Sequence, residues 1–425
     1  MEKKNILIIG GGGREHAIAW KLKQSNRVGK LYAIPGNAGM AQIAECISDI
    51  KATDIDKIVE FVDKHDDIYM TVVAPDDPLA MGLVNRLNER GHRAFGPTKE
   101  AAIIEASKAF SKNLMKKYAI PTAKYEVFDS AEKAKEYVAT CDIPVVLKAD
   151  GLALGKGVLI CTTREQALNG VKEIMEDKAF GAAGGKMVVE EFLTGQEVSV
   201  LAYCDGETVK PMPASRDHKR ALDGDKGLNT GGMGAFSPVP MYTDKLKAKA
   251  EKEIFEPTVK AMKAEGRTFK GVLYFGLMVC GDKIKVLEYN ARFGDPETQA
   301  VLPRLKTDLL DIFDATIDGT LDKLNIEYSK EACVCVVAAS GGYPEKYEKG
   351  KIIDFGDSEK NAIVFHAGTA ICGECGKIIT NGGRVLGVTA LGKDLKDARK
   401  KAYAALGMVG FEKMFYRSDI CSDGL

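Results

Sequence analysis

The 425 residues carry 60 basic and 60 acidic side chains, so the formal net charge is zero. This balance, with 45% apolar and 28% charged residues, is typical of a soluble globular protein of two to four domains, and it disfavours a nucleic-acid or membrane-surface binder. Because no apolar run is long enough for a signal sequence or a spanning helix, we expect a cytoplasmic protein with no membrane partner.

Residues 1–100 predict a doubly wound α/β domain, because strands that alternate with amphipathic helices form parallel sheets. The first strand, at residues 5–9, is a continuous apolar run that leads into Gly10–Gly13 and a helix. The other predicted elements are strands at 31–34 and 69–73 and helices at about 54–65 and 79–90. A helix at about 101–118 is predicted to follow this domain.

The glycine loop Gly10–Gly13 suits a phosphate group, because backbone N–H groups at the start of a helix attract anions. The loop begins like the G-x-G-x-x-G fingerprint of dinucleotide-binding proteins, but Glu15 stands in place of the third glycine. The second strand also lacks the acidic residue that would bind a ribose. The pattern therefore favours a sugar phosphate over NAD.

A second glycine-rich loop, Gly151–Gly157, follows the strand predicted at residues 144–148. Its spacing departs from that of a P-loop, and residues 158–161 predict a strand where a P-loop has a helix. We therefore expect a flap in which Lys148 and Lys156 meet phosphate charge while the glycines let the backbone fold over the phosphates. An ordinary hairpin with solvated lysines is the alternative.

A strand predicted after the Gly281-Asp282 turn carries Glu288, Asn290 and Arg292 at alternate positions. Side chains two residues apart share one face of a strand, so the three polar groups form a row. Oxygen ligands suit hard cations such as Mg²⁺, and a guanidinium suits phosphate or carboxylate. The row predicts a metal and phosphate site, and a solvated strand face is the alternative.

Two further segments are candidates for ligand binding. Glu190–Leu193 and Glu197 suit a nucleotide, because a strand end exposes backbone groups to a base and a carboxylate can bind ribose hydroxyls; a charged strand end is the alternative. Residues 217–235 form a polar, glycine-rich loop of the kind that often carries sites. Within it, His218 is a candidate base or a structural histidine.

Residues 329–425 predict a small C-terminal α+β domain. Cys372 and Cys375 have the spacing of a metal or redox pair, but no second pair accompanies them, which disfavours a zinc or redox role. The predicted elements of this domain are strands at 333–338, 363–366 and 385–390 and a helix at about 394–406.

Six motifs run through almost the whole chain: IIGGGGREHA at 8–17, PGNAG at 35–39, NTGGMG at 229–234, RFGDPETQ at 292–299, FHAGT at 365–369 and TNGGRV at 380–385. In this combination the chain resembles the phosphoribosylamine–glycine ligase (glycinamide ribonucleotide synthetase) family of the ATP-grasp superfamily. The resemblance implies that ATP, glycine and 5-phosphoribosylamine give glycinamide ribonucleotide, ADP and phosphate in purine biosynthesis. It implies an ATP-grasp region at 101–328 with a mobile lid at about 122–192. We expect a monomer, with transient contacts to neighbouring purine-pathway enzymes.

The resemblance also implies a role for each matching residue. Glu288 and Asn290 would hold Mg²⁺ or Mn²⁺, while Arg292, Lys148 and Asp217 would act at the reacting centre. The ATP-binding residues would be Lys108, Lys148, Gly151, Gly155, Lys156, Gly157, Glu190, Glu191, Phe192, Leu193 and Glu197. The residues toward the other substrates would be Gly11, Gly12, Gly13, Arg14, Asn37, Asp76, Asn229, Gly231, Gly232 and Arg292.

Three other functions are weighed against this one. A dinucleotide-dependent oxidoreductase would use the Gly10 loop, but the missing acidic residue and the Lys148 flap argue against it. A nucleotide sensor without catalysis would not need the Glu288 row. An ATP-grasp ligase with another acyl acceptor is the nearest competitor.

Overall fold

The computed structural model describes residues 3–152, 157–179 and 181–424. Its N-terminal domain has five parallel strands in the order β3-β2-β1-β4-β5, which confirms the predicted doubly wound sheet. The strands are β1 (Lys4–Gly10), β2 (Val28–Pro35), β3 (Glu45–Cys46), β4 (Ile68–Val73) and β5 (Ala94–Phe95). The helices are α1 (Gly13–Leu22), α2 (Ile55–Asp63), α3 (Asp76–Met81) and α4 (Leu83–Glu89).

The helix predicted at about 101–118 is in fact two helices, α5 (Lys99–Ala106) and α6 (Lys108–Lys117). Ser107 separates them because its backbone is extended and its hydroxyl accepts the N–H of Phe110, which caps α6. The break places the N-terminus of α6 against Asp150, whose carboxylate accepts the Ser107 hydroxyl and the Ala109 N–H. A cap therefore fixes the beginning of the glycine flap to a helix.

Residues 125–191 build a separate antiparallel sheet with its own apolar core, to which Leu147 and Val189 contribute. The sheet order is β6-β9-β7-β8, and a strand follows the glycine loop as predicted. The elements are β6 (Tyr125–Phe128), α7 (Ala131–Val138), β7 (Val145–Ala149), β8 (Val158–Cys161), α8 (Arg164–Val171) and β9 (Met187–Glu191).

The second half of the ATP-grasp region centres on an antiparallel sheet in the order β11-β10-β16-β17. Its last two strands form the hairpin predicted at Gly281-Asp282. The strands here are β10 (Gln196–Asp205), β11 (Val209–Pro211), β12 (Arg216–Asp217), β13 (Arg220–Leu222), β14 (Lys226–Asn229), β15 (Gly234–Ser237), β16 (Lys270–Cys280) and β17 (Lys283–Asn290). The helices are α9 (Asp244–Ala250), α10 (Glu256–Ala264), α11 (Glu297–Val301) and α12 (Leu309–Asp318).

The C-terminal sheet has the order β12-β15-β18-β22-β19, so it takes two strands from the preceding region. This sharing of strands joins the loop of residues 217–235 to the C-terminal sheet. The remaining elements are β18 (Ala332–Ala339), α13 (Ser358–Asn361), β19 (Ile363–His366), β20 (Thr369–Ile371), β21 (Ile378–Thr380), β22 (Arg384–Gly392) and α14 (Leu395–Leu406). Among the helices of the described ranges, none is both long enough and apolar enough to cross a membrane.

Two buried histidines join the N-terminal and C-terminal domains. The Nδ1 atom of His16 accepts the His366 N–H at 2.8 Å, and the His16 ring meets Phe365 edge to face. Burial lowers the pKa of His16 to about 3 and that of His366 to about 4, so both rings are neutral near pH 7. Gly39 packs against both rings, and no larger residue fits there without displacing them.

We predict that Gly39→Ala lowers the free energy of unfolding by about 1–3 kcal/mol, the usual cost of overpacking a filled core. The added methyl group would overlap His366 Cγ and His16 Cε1. Gly410→Ala is the matched control, because a methyl group there meets nothing within 4 Å. Urea unfolding of both variants measures the difference in the free energy of unfolding. Equal stability of the two variants would contradict the prediction and show that the two histidine rings can move to accommodate the methyl group.

Candidate active site

The row of polar residues on β17 exists because the strand contains a β-bulge. Gly276 pairs with Glu288 and Leu277 with Val286, so Leu287 is an extra residue without a partner in the ladder. The buried face accordingly changes from Ile284 and Val286 before the bulge to Tyr289 after it. Regular alternation would have put Glu288 into the core with Val286, and the bulge turns it toward the site instead.

Glu288 is the anionic centre of a group of cations. Its Oε1 atom lies 3.9 Å from Lys219 Nζ. Burial raises the pKa of the Glu288 carboxyl, but Lys219, Lys148, Lys108 and Arg292 together outweigh burial and lower it. The carboxylate is therefore ionised near pH 7.

Arg292 lies just beyond the end of β17 and is fixed by a second carboxylate. Its guanidinium is 3.0 Å from Glu105 Oε1 and donates to Asn290 Oδ1 at 3.4 Å. Glu105 also accepts the Ala291 N–H at 2.7 Å. The structure thus brings Glu288, Asn290 and Arg292 together, as predicted, and adds Glu105 from α5, which the sequence pattern gave no reason to single out.

Lys148 points inward from the end of β7, as its position predicted. Its ammonium donates to Glu190 Oε2 at 3.0 Å and to the Leu287 carbonyl at 3.1 Å, so the bulge also supplies an acceptor. Lys112 lies on the other side of the same carboxylate oxygen, at 2.9 Å, and donates to Thr122 Oγ1 at 2.7 Å. Lys112 was missed by the sequence analysis, although its position one helical turn after Lys108 was a usable signal.

Glu190 is shared between the two buried lysines and has one oxygen to spare. Both Lys112 and Glu190 are at most 3% exposed. Within the described ranges, Glu190 Oε1 has no hydrogen-bond partner, which leaves a buried acceptor for a ligand. This free acceptor is consistent with the predicted contact between the Glu190 segment and a nucleotide.

The flap is described only at its two ends. Lys108 donates to the Gly151 carbonyl at 2.8 Å, and the Ala149 N–H donates to the Gly157 carbonyl at 2.9 Å. Burial lowers the pKa of Lys108, and the nearby Lys148 adds to this effect. Gly155 and Lys156 lie outside the described residues, so their predicted contact with phosphates stays a prediction.

The predicted base and ribose residues lie where β9 leads into β10. Glu191 Oε1 accepts the Lys285 ammonium at 2.7 Å and the Lys124 N–H at 3.1 Å, so this carboxylate is engaged by the protein. Phe192 is exposed, and Leu193 follows it in the same connecting segment. Glu197 binds Lys219 at 2.8 Å.

Asp217 and Glu297 form the acidic side of the site. Burial raises the pKa of Asp217 to about 7, and it does so against the attraction of Lys219. Burial also raises the pKa of Glu297, and the two carboxyl groups repel each other. Lys219, on the same segment as Asp217, interacts with both groups and with Glu288. The Asp217 carboxyl group therefore gains or loses its proton near neutral pH, and Lys219 connects it electrostatically to Glu288.

The N-terminal glycine loop is held by its own helix. The Gly12 N–H donates to Glu15 Oε2 at 2.6 Å, so the residue that departs from the dinucleotide fingerprint occupies an anion-binding N–H group. Arg14 Nε donates to Glu15 at 2.5 Å, and its NH1 donates to the Phe293 carbonyl at 3.1 Å. The loop therefore meets the segment after Arg292.

Asn37 closes the space beside this loop. Its amide donates to the Gly11 and His366 carbonyls, both at 2.9 Å, and its Oδ1 accepts the Gly39 and Met40 N–H groups. Asp76 begins α3 and acts electrostatically on both Glu105 and Arg292. The predicted substrate residues of the N-terminal domain thus face the Arg292 segment.

Arg384 joins the loop of residues 229–234 to the same segment. Its NH1 group donates to the carbonyls of Gly231 at 2.7 Å, Gly232 at 3.3 Å and Asp295 at 2.8 Å. Asn229 ends β14 and pairs in the ladder with Arg220. Arg384 therefore links Gly231 and Gly232 to the segment that follows Arg292.

The donor set fits a hard divalent cation bound together with phosphates. An ionised Glu288 and the amide oxygen of Asn290 are ligands that Mg²⁺ accepts, and Mg²⁺ takes its other ligands from water and substrate phosphates. Across the described ranges, no group of three histidine, cysteine, aspartate or glutamate side chains is arranged to hold a metal ion. Two protein ligands next to several lysines are thus suited to a metal that arrives with a nucleotide.

Three family models of known proteins match this chain and identify its protein class. Residues 106–298 match a family model described as "Phosphoribosylglycinamide synthetase, ATP-grasp (A) domain", so the centre of the chain is an ATP-grasp domain. The N and C domain models of the same family match residues 4–105 and 333–423. Together the three models match most of the chain, and the protein therefore belongs to the phosphoribosylglycinamide synthetase family.

Individual relatives agree with this assignment. The phosphoribosylamine–glycine ligase of Halalkalibacterium halodurans is 48% identical over 422 residues, which cover 99% of this chain and 97% of the relative. The crystal structure of the Thermotoga maritima phosphoribosylamine–glycine ligase has a TM-score of 0.83 at 35% identity and covers 98% of this chain and 100% of its own. A biotin carboxylase from Campylobacter jejuni, in complex with an ATP analogue, shares the fold at 15% identity, with a TM-score of 0.74 and coverage of 98% and 93%.

We predict that Glu288→Gln lowers kcat by about a hundredfold or more while the fold survives, because the change removes a charge and keeps the shape. Loss of one preorganised electrostatic contact typically raises a barrier by about 3 kcal/mol. The measurement is steady-state kinetics over a full Mg²⁺ titration, with circular dichroism to check folding. A kcat near that of the unchanged protein would exclude Glu288 as a metal ligand.

We predict that the Kd for a non-hydrolysable ATP analogue rises roughly threefold to tenfold as the pH passes upward through the Lys112 pKa. Burial lowers that pKa to about 8, so the ammonium near Glu190 loses its charge above this pH and no longer attracts a polyanion. Lys112→Met should abolish the step. Lys116→Met, at an exposed position of the same helix, should retain it. Calorimetric titrations below and above pH 8 measure the effect, and an identical step in both variants would assign it to another group.

Proposed function

We propose that this protein ligates glycine to 5-phosphoribosylamine with ATP, giving glycinamide ribonucleotide, ADP and phosphate, the second step of de novo purine biosynthesis. The observation that carries the proposal is the cationic group around Glu288, in which three lysines and Arg292 face one ionised carboxylate. Its membership of the phosphoribosylglycinamide synthetase family supports the same reaction. We place it in the cytoplasm as a monomer with transient contacts to neighbouring pathway enzymes.

The chemistry requires activation of a carboxylate. The carboxylate of glycine is a poor electrophile, because substitution would have to expel an oxide. Transfer of the γ-phosphoryl group of ATP to a carboxylate oxygen of glycine gives glycyl phosphate and ADP. The amine of 5-phosphoribosylamine then attacks the carbonyl carbon, and phosphate leaves. Charge builds up on the phosphoryl oxygens during the transfer, so cations held in place stabilise the transition state.

The residues of the chain divide this work. Glu288 and Asn290 would hold Mg²⁺ or Mn²⁺, and the bound metal would neutralise phosphate charge. Lys148 and Lys108 would bind the phosphates of ATP. Arg292, held by Glu105, would bind the carboxylate of glycine and then the acyl phosphate.

Asp217 is suited to accept the proton that the attacking amine loses. A general base works best when its pKa is close to the working pH, and burial raises the pKa of Asp217 to about 7. The ammonium of Lys219 offsets negative charge here, because it interacts with the carboxyl groups of Asp217, Glu197 and Glu288. The loop of Gly11–Arg14, with Asn37 and Asp76, would bind the sugar phosphate.

An ATP-grasp ligase with another acyl acceptor would share the phosphate site and differ in the acceptor site. Release of phosphate from ATP with glycine and phosphoribosylamine, added separately and together, distinguishes the two. Release that depends on both supports the proposal, and release that ignores phosphoribosylamine contradicts it.

We predict that glycine labelled with heavy oxygen in its carboxylate yields phosphate that carries one labelled oxygen. An acyl phosphate requires this, because one carboxylate oxygen leaves with the phosphoryl group. Mass spectrometry of the released phosphate during net synthesis measures it. Unlabelled phosphate would exclude glycyl phosphate, and label in AMP, with release of pyrophosphate, would indicate an adenylate instead.

A further inference from the structure

The turn between β20 and β21 carries Cys372 and Cys375 and has no role in the proposed ligation. The two strands form a separate two-stranded sheet whose ladder ends at the pair Ile371 and Ile378. Cys375 is exposed and Cys372 is partly exposed. Small-molecule reagents can therefore reach both thiols.

Backbone hydrogen bonds define the shape of this turn. The Cys372 N–H donates to the Lys377 carbonyl and the Gly376 N–H donates to the Cys372 carbonyl, each at 2.8 Å. Gly376 has a φ of +66°, a left-handed conformation that favours glycine. The turn is thus closed by its own backbone, and the position of the two thiols does not depend on a covalent bond between them.

The same turn directs donors at the sulfur of Cys372. The Cys375 N–H donates to Cys372 Sγ at 3.3 Å, and the Cys375 side chain belongs to the same short turn. The Cys375 thiol, followed by the N–H groups of Cys375 and Glu374, lowers the pKa of Cys372. A thiolate at Cys372 is therefore stabilised, and a second thiol is next to it.

The other cysteines provide a contrast. Those that are buried have thiols whose pKa is raised by burial, so they are poor nucleophiles. They are Cys161, Cys204, Cys333, Cys335 and Cys421. Cys280 is partly exposed, like Cys372, but no sulfur-directed hydrogen bond is recorded for it in the described part of the chain. Exposure, a stabilised thiolate and an adjacent thiol coincide at residues 372–375.

Contrary to the expectation from the sequence alone, we propose that Cys372 and Cys375 form a dithiol–disulfide couple that exchanges with small-molecule disulfides. The Cys372 thiolate attacks the external disulfide, forming a mixed disulfide and expelling one thiolate. The Cys375 thiol then loses its proton and attacks Cys372 Sγ, which expels the second external thiolate and closes the internal disulfide. Two electrons pass from the protein to the external disulfide, which becomes two thiols.

A metal site is the alternative use of such a pair. A structural zinc site needs four ligands, and within the described ranges no third histidine, cysteine, aspartate or glutamate joins these two in a group that could hold a metal ion. One copy of the chain thus supplies half of a zinc site but a complete pair of thiols for a disulfide. The contacts therefore favour thiol–disulfide exchange.

The test uses the full-length protein in mixtures of reduced and oxidised glutathione, quenched with acid and then alkylated. Trypsin releases residues 361–377 as one peptide that contains Cys372 and Cys375 and no other cysteine. With increasing oxidised glutathione, we expect this peptide to become lighter by two hydrogens and unreactive to the alkylating agent. Peptides with the other cysteines should stay alkylated.

Variants identify the order of attack. Cys375→Ser should stop at the mixed disulfide, with glutathione on Cys372, and Cys372→Ser should form a mixed disulfide several-fold more slowly. Cys280→Ser, the matched control, should behave like the unchanged protein. Full alkylation of the 361–377 peptide in oxidised glutathione would overturn the proposal. Protection that appears in the reduced protein and disappears with a chelator would also overturn it and assign a metal to the pair.

Discussion

The candidate site depends on one irregularity in the central sheet, the bulge at Leu287. Up to Val286, β17 buries alternate side chains in the core, and a regular strand would bury Glu288 as well. A buried carboxylate without partners costs several kcal/mol, so such a strand would be unstable. The extra residue turns Glu288 and Asn290 toward the site and presents the Leu287 carbonyl to Lys148. One inserted residue thus orients the proposed metal ligands and supports the lysine proposed to bind phosphate.

The electrostatic arrangement follows from this orientation. Lys108, Lys148, Lys219 and Arg292 converge on Glu288, so the carboxylate remains charged despite burial. Three of these cations are also paired with carboxylates of their own: Lys148 with Glu190, Lys219 with Glu197 and Arg292 with Glu105. The lysines are held by protein acceptors, among them the Gly151 and Leu287 carbonyls, so few side chains must reorganise when the nucleotide binds.

Sequence patterns predicted the elements of the fold better than its irregularities. The parallel N-terminal sheet, the Gly281-Asp282 hairpin and the strand after the glycine flap follow from apolar periodicity and glycine positions. The break at Ser107 was missed because a serine can occur within a helix as well as cap one. Only the structure shows that its backbone is extended and that its hydroxyl accepts the Phe110 N–H. The sharing of β12 and β15 with the C-terminal sheet was missed because it depends on contacts between distant segments. Glu105 was missed for the same reason, because its partner Arg292 is far away in the sequence. Lys112 has a distant partner as well, Glu190, but its position one helical turn after Lys108 was a local signal.

The site has a cationic side around Glu288 and an acidic side at Asp217 and Glu297, and each side suits one step of the proposed reaction. Cations surround Glu288, where phosphoryl transfer would build negative charge. Asp217 and Glu297 lie on the acidic side, where burial and mutual repulsion raise the pKa of both carboxyl groups and where the attacking amine must lose a proton. Lys219 interacts with both sides, so a change of protonation at Asp217 alters the field at Glu288. Because these groups occupy one network, the proposed mechanism would couple the charge that leaves with phosphate to the proton that leaves the amine, without a covalent bond to the protein.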